Sequence, residues 1–242
     1  MEKEQVNEKV SIHYIFWYFT FFSIIGLLIE TLYCYTTTGV YESRKGLLWG
    51  PFCPVYGVGA TILIVLLQKY KDHPLPLFIA GTILGGIIEY ILSFGLEALY
   101  GTRFWDYSYL QFDLNGRICF TYSLFWGILS FLLIQFITPK LNQFLDKFSH
   151  TIFKPLEFFL FCFLLIDVFF TIWGISVFKK RAMEIYYKFP PCEPQNALIR
   201  LIENRCFSTE YMVKTFPNLR FRNEQNEEIF IRTVFEGSNV PV

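Results

Sequence analysis

The feature that most constrains this chain is the apolar segment 78–101, which reads FIAGTILGGIIEYILSFGLEALYG. It is long enough to cross a bilayer as a helix, which takes about 20 apolar residues. Small and polar residues recur at every fourth position and so share one helix face: Gly81, Gly85, Glu89, Ser93 and Glu97. The glycines let a second backbone come close, and the carboxyl groups must face protein or water because lipid offers them no hydrogen bonds. The segment is therefore predicted to be a buried membrane helix with one functional face.

The composition indicates a membrane protein with several spans. Of the 242 residues, 53% are hydrophobic and 20% are aromatic, whereas only 17% are charged. The expected fold is an all-α, polytopic helical bundle with about five transmembrane helices. The predicted spans are 14–35, 52–68, 77–100, 119–138 and 155–178, within a transmembrane domain at 14–178. A polar N-terminus at 1–13 and a short polar C-terminal tail at 179–242 are expected to flank this domain.

Several classes of function lack the residues they need. The formal net charge is zero, so no basic field would attract nucleic acid, and no nucleic-acid partner is expected. The sequence has no Walker A pattern, no GxSxG elbow and no HExxH motif, so any ATP would be bound by another chain. The six cysteines lack metal-ligand spacing and are predicted to be free thiols. No metal, no cofactor and no catalytic residue is predicted.

A segment rich in glycine and proline precedes the second apolar run. It reads TTTGVYESRKGLLWGPFCPVYG, and its Gly50-Pro51 and Cys53-Pro54 pairs should break or delay the second helix. Irregular backbone at membrane depth is tolerated only inside protein or along a cavity. The segment is therefore predicted to form a re-entrant loop or, alternatively, an ordinary interfacial turn. Its structural candidates are Gly50, Pro51, Pro54, Tyr56 and Gly57.

Ionisable groups in or beside the apolar helices are the candidates for a solute path. Glu30 follows Ser23 and Gly26 at near four-residue spacing, and Asp167 lies near the centre of the fifth span, where a charge needs a partner or a cavity. Such groups could bind a cation, exchange protons or orient a polar headgroup, or they could form a buried structural network. The candidates are Glu30, Glu89, Glu97, Arg103, Trp105, Asp106, Asn115, Arg117 and Asp167.

The two arginines of this set allow two interpretations. Arg103 and Arg117 could pair with Glu97 or Asp106, or they could reach lipid headgroups as interfacial side chains. Lysine and arginine residues that flank the spans are balanced between the two sides of the membrane, which leaves the positive-inside rule undecided. The basic cluster 179–181 and the cysteines of the tail favour a cytoplasmic C-terminus.

Outside the spans, three further segments have predicted structures. The fourth helix is expected to stop at Thr138-Pro139, and 140–154 to form a short amphipathic helix at the interface. In the tail, 196–206 and 210–214 are predicted to be short helices. About the last twenty residues are predicted to be extended or disordered.

Four motifs resemble the bacterial multi-pass family known as ABC-transporter type IV. They are GLLWGPFCPVYGVGA, IIEYILSFGLEALYGTRFWDYS, NGRICFTYSLFWG and FPNLR, within 14–223. By this resemblance the family's characteristic positions are Glu30, Gly46, Gly50, Pro51, Pro54, Tyr56, Gly57, Glu89, Glu97, Trp105, Asp106, Tyr107, Asn115, Gly116, Arg117, Ser123, Trp126 and Gly127. Family members often have Arg-Gly-Phe where this chain has Lys45-Gly46-Leu47, and lysine cannot form the bidentate anion contact of arginine.

The resemblance implies a transporter permease in the bacterial cytoplasmic membrane. The leading hypothesis is a permease-type subunit that moves or gates a small polar or amphiphilic solute, with Glu30, Glu89 and Glu97 along the path. The expected partners are membrane lipid and either an ATP-binding subunit in trans or further copies of the chain. One alternative is a membrane enzyme acting on a lipid-linked substrate, with its headgroup site at Asp106, Asn115 and Arg117. Another is a non-catalytic accessory or sensor protein that acts through its tail.

Overall fold

The computed structural model describes residues 11–100, 102–147, 150–191, 194–225 and 227–237. The helices are α1 (Ile12–Thr38), α2 (Pro54–Leu67), α3 (Pro74–Tyr100), α4 (Phe120–Leu132), α5 (Thr138–Asp146), α6 (His150–Tyr186), α7 (Ala197–Cys206), α8 (Thr209–Thr215) and α9 (Ile231–Glu236). The strands are β1 (Thr102–Arg103), β2 (Asp113–Leu114), β3 (Ile118–Cys119), β4 (Arg220–Arg222) and β5 (Glu228–Phe230). A 3-10 turn at Gln68–Tyr70 follows α2, and a π turn at Leu133–Ile137 joins α4 to α5.

The prediction of an all-α polytopic bundle is confirmed, with four long spans where about five were expected. In the described ranges, the helices long and apolar enough to cross a membrane are Ile12–Thr38, Pro74–Leu99, Phe120–Asp146 and Lys154–Tyr186. The second predicted span is α2, which has only 14 residues. At 1.5 Å per residue it rises about 21 Å, less than the roughly 30 Å of a hydrocarbon core.

Polar contacts define the two ends of the bundle. Tyr18 donates to Asn142 Oδ1 over 2.6 Å, and Trp17 Nε1 donates to Glu157 Oε1 over 2.6 Å. Gln135 hydrogen-bonds the carbonyl of Lys71. The start of α1, the connector 68–73 and the α5–α6 junction therefore lie together, at what we call the N-terminal end. Because α1 leaves this end and α3 starts from it, segment 39–73 must return across the bundle.

Much of that return path is an irregular segment buried in protein, residues 46–53, which we call the Gly–Pro loop. Leu48 is fully buried, and its amide donates to Thr171 Oγ1 over 2.9 Å. The amide of Trp49 donates to Asp167 Oδ1 over 3.1 Å, and that of Cys53 to the Ser23 carbonyl over 3.0 Å. Side chains and backbone of α6 and α1 thus supply the partners that lipid could not. The loop and α2 together make the crossing that α2 alone is too short to make.

The repeating face of α3 packs against α4 as the glycine spacing predicted. Gly81 lies against Ser130 and Gly127, and Gly85 lies against the indole of Trp126. Further along the same face, Glu89 also meets Trp126. The small residues therefore bring α4 close enough for its side chains to reach the carboxylates of α3.

Replacing Gly85 with alanine is expected to destabilise the protein by about 1–3 kcal/mol, the usual cost of overpacking. The added methyl would overlap the Cβ and ring of Trp126, which α4 holds in place. Gly95 in the same helix provides the matched control, because no atom lies within 4 Å of its substituent position. Gly95→Ala should be neutral or stabilising by up to about 1 kcal/mol. Thermal unfolding in detergent measures both, and an equal loss in the two variants would contradict the packing described here.

The predicted end of the fourth helix is wrong. Helical structure continues past Pro139, because the π turn at Leu133–Ile137 precedes the proline and connects α4 to α5. A wider turn accommodates a residue that has no amide and whose ring would clash with the preceding turn of an α-helix. The amphipathic helix predicted at 140–154 is confirmed for 140–146, which belong to α5, whereas 150–154 belong to α6. Helix α5 buries Leu141 and Leu145 and exposes Phe144.

The helix α6 belongs to two environments. Its 37 residues extend about 55 Å, further than a bilayer is thick. The first half exposes large apolar side chains such as Phe158, Phe159 and Phe169. From Ile175 onward the helix is instead packed into the core of the tail, where the largest buried side chains are Phe178, Phe207, Phe221 and Phe235.

The tail is structured and attached to the bundle. Its short helices were predicted and are α7 and α8. The expectation of an extended or disordered end holds for 228–230, which is the extended strand β5, and is wrong for 231–236, which forms α9. Residues 238–242 lie outside the described residues. Strand β4 pairs antiparallel with β5 and also with β1, the strand that follows α3. Phe235 of α9 stacks on Phe178 with ring centroids 5.4 Å apart. Residues 228–236 are thus held by contacts with distant segments.

The cysteines in the described ranges are free thiols, as predicted: Cys34, Cys53, Cys119, Cys162 and Cys206. Cys192 lies outside the described residues.

Candidate functional site

A cavity of about 330 Å³ lies at the end of the bundle opposite the N-terminal end, beneath the tail. Five separate parts of the sequence line it: Glu30 of α1, residues 43–47 with 53–56, the α3–α4 region, Val168 of α6 and tail residues 215–219. Its charged lining residues are Glu30, Arg44, Lys45 and Glu89. Its aromatic lining residues are Tyr56, Phe104, Trp105, Tyr107, Trp126 and Phe216. The volume falls at the small end of the range for small-molecule sites, about 300–1,000 Å³.

Glu89 is the most deeply buried carboxylate of this cavity, with 7% of its surface exposed. One of its oxygens accepts from the Tyr107 hydroxyl over 2.9 Å, and the other accepts from Trp126 Nε1 over 3.0 Å. Burial and the neighbouring Glu89 raise the pKa of Tyr107 well above its usual range, so Tyr107 stays protonated and able to donate. The carboxylate is therefore held in one orientation by two aromatic donors.

Glu30 is brought to the same cavity by α1. The small residues before it allow α2 to pack closely: Gly26 lies against the Tyr56 side chain, and Gly57 lies against Ser23 and the Phe19 carbonyl. Glu30 interacts with the Tyr56 hydroxyl and with the charge of Arg44. Two helices with the same small-then-acidic spacing thus each place a carboxylate beside an aromatic donor.

The loop candidates fit this arrangement. Gly50 has φ +68°, a left-handed conformation that favours glycine, and Pro51 beside it is exposed. Pro54 is the first residue of α2, where a missing amide costs nothing. Tyr56 and Gly57 fill the contact between α2 and α1.

Glu97 lies in an ion-pair network next to the cavity, as the sequence allowed. Its Oε2 is 2.5 Å from Arg117 Nη2 and 3.4 Å from Arg103 Nε. Arg117 also donates to Ser93 Oγ over 3.2 Å. Both arginines are 8% exposed, which argues against the interpretation that they reach into lipid headgroups.

The tail completes this network. Glu228 of β5 lies 3.1 Å from Arg103, 3.1 Å from Arg220 and 3.3 Å from Arg222. Asp106 lies 3.5 Å from Arg103 and accepts from Ser108 Oγ over 2.8 Å. These ion pairs join the tail to the end of α3. The network is therefore better suited to hold the tail in place than to bind a substrate headgroup.

The remaining candidates are divided between the cavity and the scaffold. Trp105 lines the cavity, while its Nε1 donates to the Arg117 carbonyl over 3.1 Å. Asn115 is exposed in a left-handed turn with φ 55° and donates to the Tyr90 hydroxyl over 3.0 Å. Asp167 is fully buried in α6 and accepts from Trp49 of the Gly–Pro loop and from Thr171. It anchors that loop from behind the cavity.

Sequence reasoning missed several residues of the cavity wall. Tyr107, Trp126, Lys45 and the FPNLR motif were matched to the family but not predicted as binding residues, and Arg44 was not singled out. The FPNLR motif was a usable signal for the tail wall, since its Phe216 to Leu219 portion lines the cavity. Over the described ranges, no group of three or more His, Cys, Asp or Glu side chains could hold a metal ion.

The fold and cavity define a polytopic membrane protein with a charged, aromatic site at one end of its bundle. Residues 17–172 match the model of the family described as "Putative ABC-transporter type IV". The match covers more than half of the chain, so the chain belongs to this family and is a transport-related membrane protein. No curated protein and no solved structure matches it. The matched range contains both carboxylates of the cavity but not its tail wall.

Proposed function

We propose that the chain is a permease-type membrane subunit of a bacterial transporter and that its solute binds in the cavity between Glu30 and Glu89. The observation that carries this proposal is the convergence of five distant segments on one cavity with two carboxylates among aromatic rings. Aromatic rings suit the apolar part of a small amphiphilic solute, and fixed carboxylates suit its polar part. Glu97, although on the same helix face, holds the tail and does not contact the solute.

Passage of a solute requires the protein to open on both sides of the cavity. On the side of Glu89 away from the tail, α3 and α4 are packed together through Gly85 and Trp126. On the other side, the tail covers the cavity with Phe216, Pro217 and Leu219. Movement of the tail opens the cavity to one side of the membrane, and separation of α3 from α4 opens it to the other.

The tail side of the protein is the cytoplasmic side in this proposal. The contacts at the two ends place the connectors around 44–45 and 103–117 on the same side as the tail. Among the lysine and arginine residues within about 20 residues of a span end, ten belong to this side when the start of the tail is included: positions 44, 45, 103, 117, 179, 180, 181, 188, 200 and 205. Cytoplasmic segments of membrane proteins carry the excess of such residues. An ATP-binding subunit in trans would then meet the tail side, in the bacterial cytoplasmic membrane.

Affinity purification of the intact chain in mild detergent, followed by mass spectrometry of co-purifying proteins, tests this function. A stoichiometric ATP-binding subunit, released when the tail after Arg181 is removed, is the expected result. Recovery of the folded chain without such a subunit, from cells that express it at its native level, would overturn the proposal of a permease subunit powered in trans.

A further inference from the structure

We infer that the cavity selects a zwitterionic solute, which carries an ammonium group and an anionic group on one small molecule. This inference rests on the proposed function, because it takes the cavity to be the solute site. It names the chemical class of the solute, which follows from the charges and rings that line the cavity.

The carboxylate end of the cavity suits an ammonium group. Glu30 and Glu89 line it together with the rings of Tyr56, Tyr107 and Trp126. A cation near aromatic faces is attracted by the negative faces of the rings, and ammonium compounds are commonly recognised this way. Each oxygen of Glu89 accepts one hydrogen bond and keeps lone pairs for a further donor. An anionic group would be repelled from Glu89, whose two hydrogen-bond donors are neutral.

The opposite charges come from the segment just before the Gly–Pro loop. Arg44 lines the cavity with its side chain 24% exposed, and Nη2 lies 2.8 Å from the Cys34 sulfur and 3.6 Å from Glu42. Lys45 is its neighbour on the cavity wall, and the charge of its ammonium also acts on Asp167 of α6. A lysine binds phosphate or carboxylate as a point charge. This end therefore suits the anionic group of the solute.

The balance of charge decides between a zwitterion and a simple ion. Two carboxylates and two cations line the cavity, so the site is neutral when all four are ionised. A simple cation or anion would bring an uncompensated charge into a partly apolar site, and such a charge is costly away from water. A zwitterion satisfies both ends and leaves the complex neutral.

The size of the cavity limits the solute to a headgroup or a small molecule. A volume of about 330 Å³ has no room for acyl chains. The ligand is therefore a free zwitterion or the head of a zwitterionic lipid whose chains lie outside the cavity. Both share the same recognition chemistry.

The test is a binding series on the purified full-length chain in phosphatidylglycerol nanodiscs. Binding is measured by intrinsic tryptophan fluorescence, to which the cavity residues Trp105 and Trp126 contribute together with the three other tryptophans. The probes are phosphocholine, choline, inorganic phosphate and 3,3-dimethylbutan-1-ol, the uncharged analogue of choline. We expect phosphocholine to bind at least tenfold more tightly than each of the others, because only it meets both ends of the cavity.

Three variants assign the two ends. Glu30→Gln and Glu89→Gln should each weaken phosphocholine binding by about tenfold or more, the effect of losing a bond to a charged group. Lys45→Met should reduce phosphocholine to the affinity of choline while leaving choline unchanged. Glu210→Gln, at an exposed position of α8, is the matched control and should bind as the wild type does. A melting curve for each variant verifies that it is folded.

A second set of nanodiscs separates the two sources of the zwitterion. If the natural ligand is a lipid head, phosphatidylcholine in the nanodisc should occupy the cavity and abolish the phosphocholine signal by competition. The wild type and Glu89→Gln should then give the same absence of signal in these nanodiscs. If it is a free solute, both nanodiscs should give the same affinity. Either outcome supports a zwitterion-selective cavity.

Two results would overturn the inference. One is equal affinity for phosphocholine and the uncharged analogue. The other is that the affinity of the folded protein for every probe is the same in the wild type, Glu30→Gln, Glu89→Gln and Lys45→Met, in both kinds of nanodisc. If no ATP-binding subunit co-purifies with the intact chain, the transport proposal is contradicted, but the binding affinities measured here are unaffected. The two failures are therefore distinguishable.

Discussion

Replacing Glu97 with glutamine is expected to lower the free energy of unfolding by about 3 kcal/mol. Glu97 is the only carboxylate in the described ranges that lies within ion-pair distance of Arg117. Arg117 is 8% exposed, so removing the charge of Glu97 leaves a buried guanidinium without an anionic partner. Breaking a buried pair in this way costs about 3–5 kcal/mol, and the 20% exposure of the Glu97 side chain places the effect at the lower end.

Denaturation of the purified protein in detergent measures this loss, with Glu89→Gln as the matched comparison. Glutamine at position 89 can keep both hydrogen bonds, since its carbonyl can accept from Trp126 and its amide can donate to a reversed Tyr107 hydroxyl. Glu89→Gln should therefore remain within about 1 kcal/mol of the wild type. The double variant Glu97→Gln with Arg117→Gln should recover part of the loss. If Glu97→Gln proved as stable as Glu89→Gln, the network would not hold the tail.

Replacing Asp167 with leucine is the second change with a large expected effect, also about 3 kcal/mol. Asp167 is fully buried and accepts from the Trp49 amide over 3.1 Å and from Thr171 over 3.3 Å. Leucine would leave a backbone amide of the Gly–Pro loop without its partner, and each unsatisfied buried group costs about 1–3 kcal/mol. The loop would then move, and with it Lys45 and the start of α2 on the cavity wall.

Asparagine at the same position is the control. It keeps an oxygen that can accept from Trp49, so Asp167→Asn should lose no more than about 1 kcal/mol. Thermal unfolding of both variants in detergent gives the comparison. A leucine variant as stable as the asparagine variant would show that the loop does not depend on this hydrogen bond.

The parts of the fold that follow from local periodicity were predictable. Four-residue spacing in 78–101 placed the glycines and carboxylates on one face of α3. On this face, Gly85 contacts α4 and Glu97 pairs with Arg117. The pairing of Arg117 with Glu97 could be proposed because both belong to the edges of neighbouring helices. Local spacing and charge were sufficient for these contacts.

The parts that depend on distant contacts were not predictable. The tail appeared polar and weakly structured, but β4 is ordered by pairing with β1, more than a hundred residues away in the chain. Helix α6 continues beyond the bilayer because the tail buries its second half. The cavity wall includes Arg44, Lys45 and Phe216, whose proximity to Glu30 and Glu89 follows only from the folded path of the Gly–Pro loop and the tail. Spacing identifies the face of a helix but not what lies opposite that face.

The measurement that tests the central claim most directly is mass spectrometry of small molecules that co-purify with the wild type, Glu89→Gln and Glu210→Gln. If the cavity is the solute site, one molecule should co-purify with the wild type and with Glu210→Gln. The same molecule should be absent from folded Glu89→Gln. Equal retention of that molecule by Glu89→Gln would contradict the account, because the solute would then bind somewhere other than beside this carboxylate.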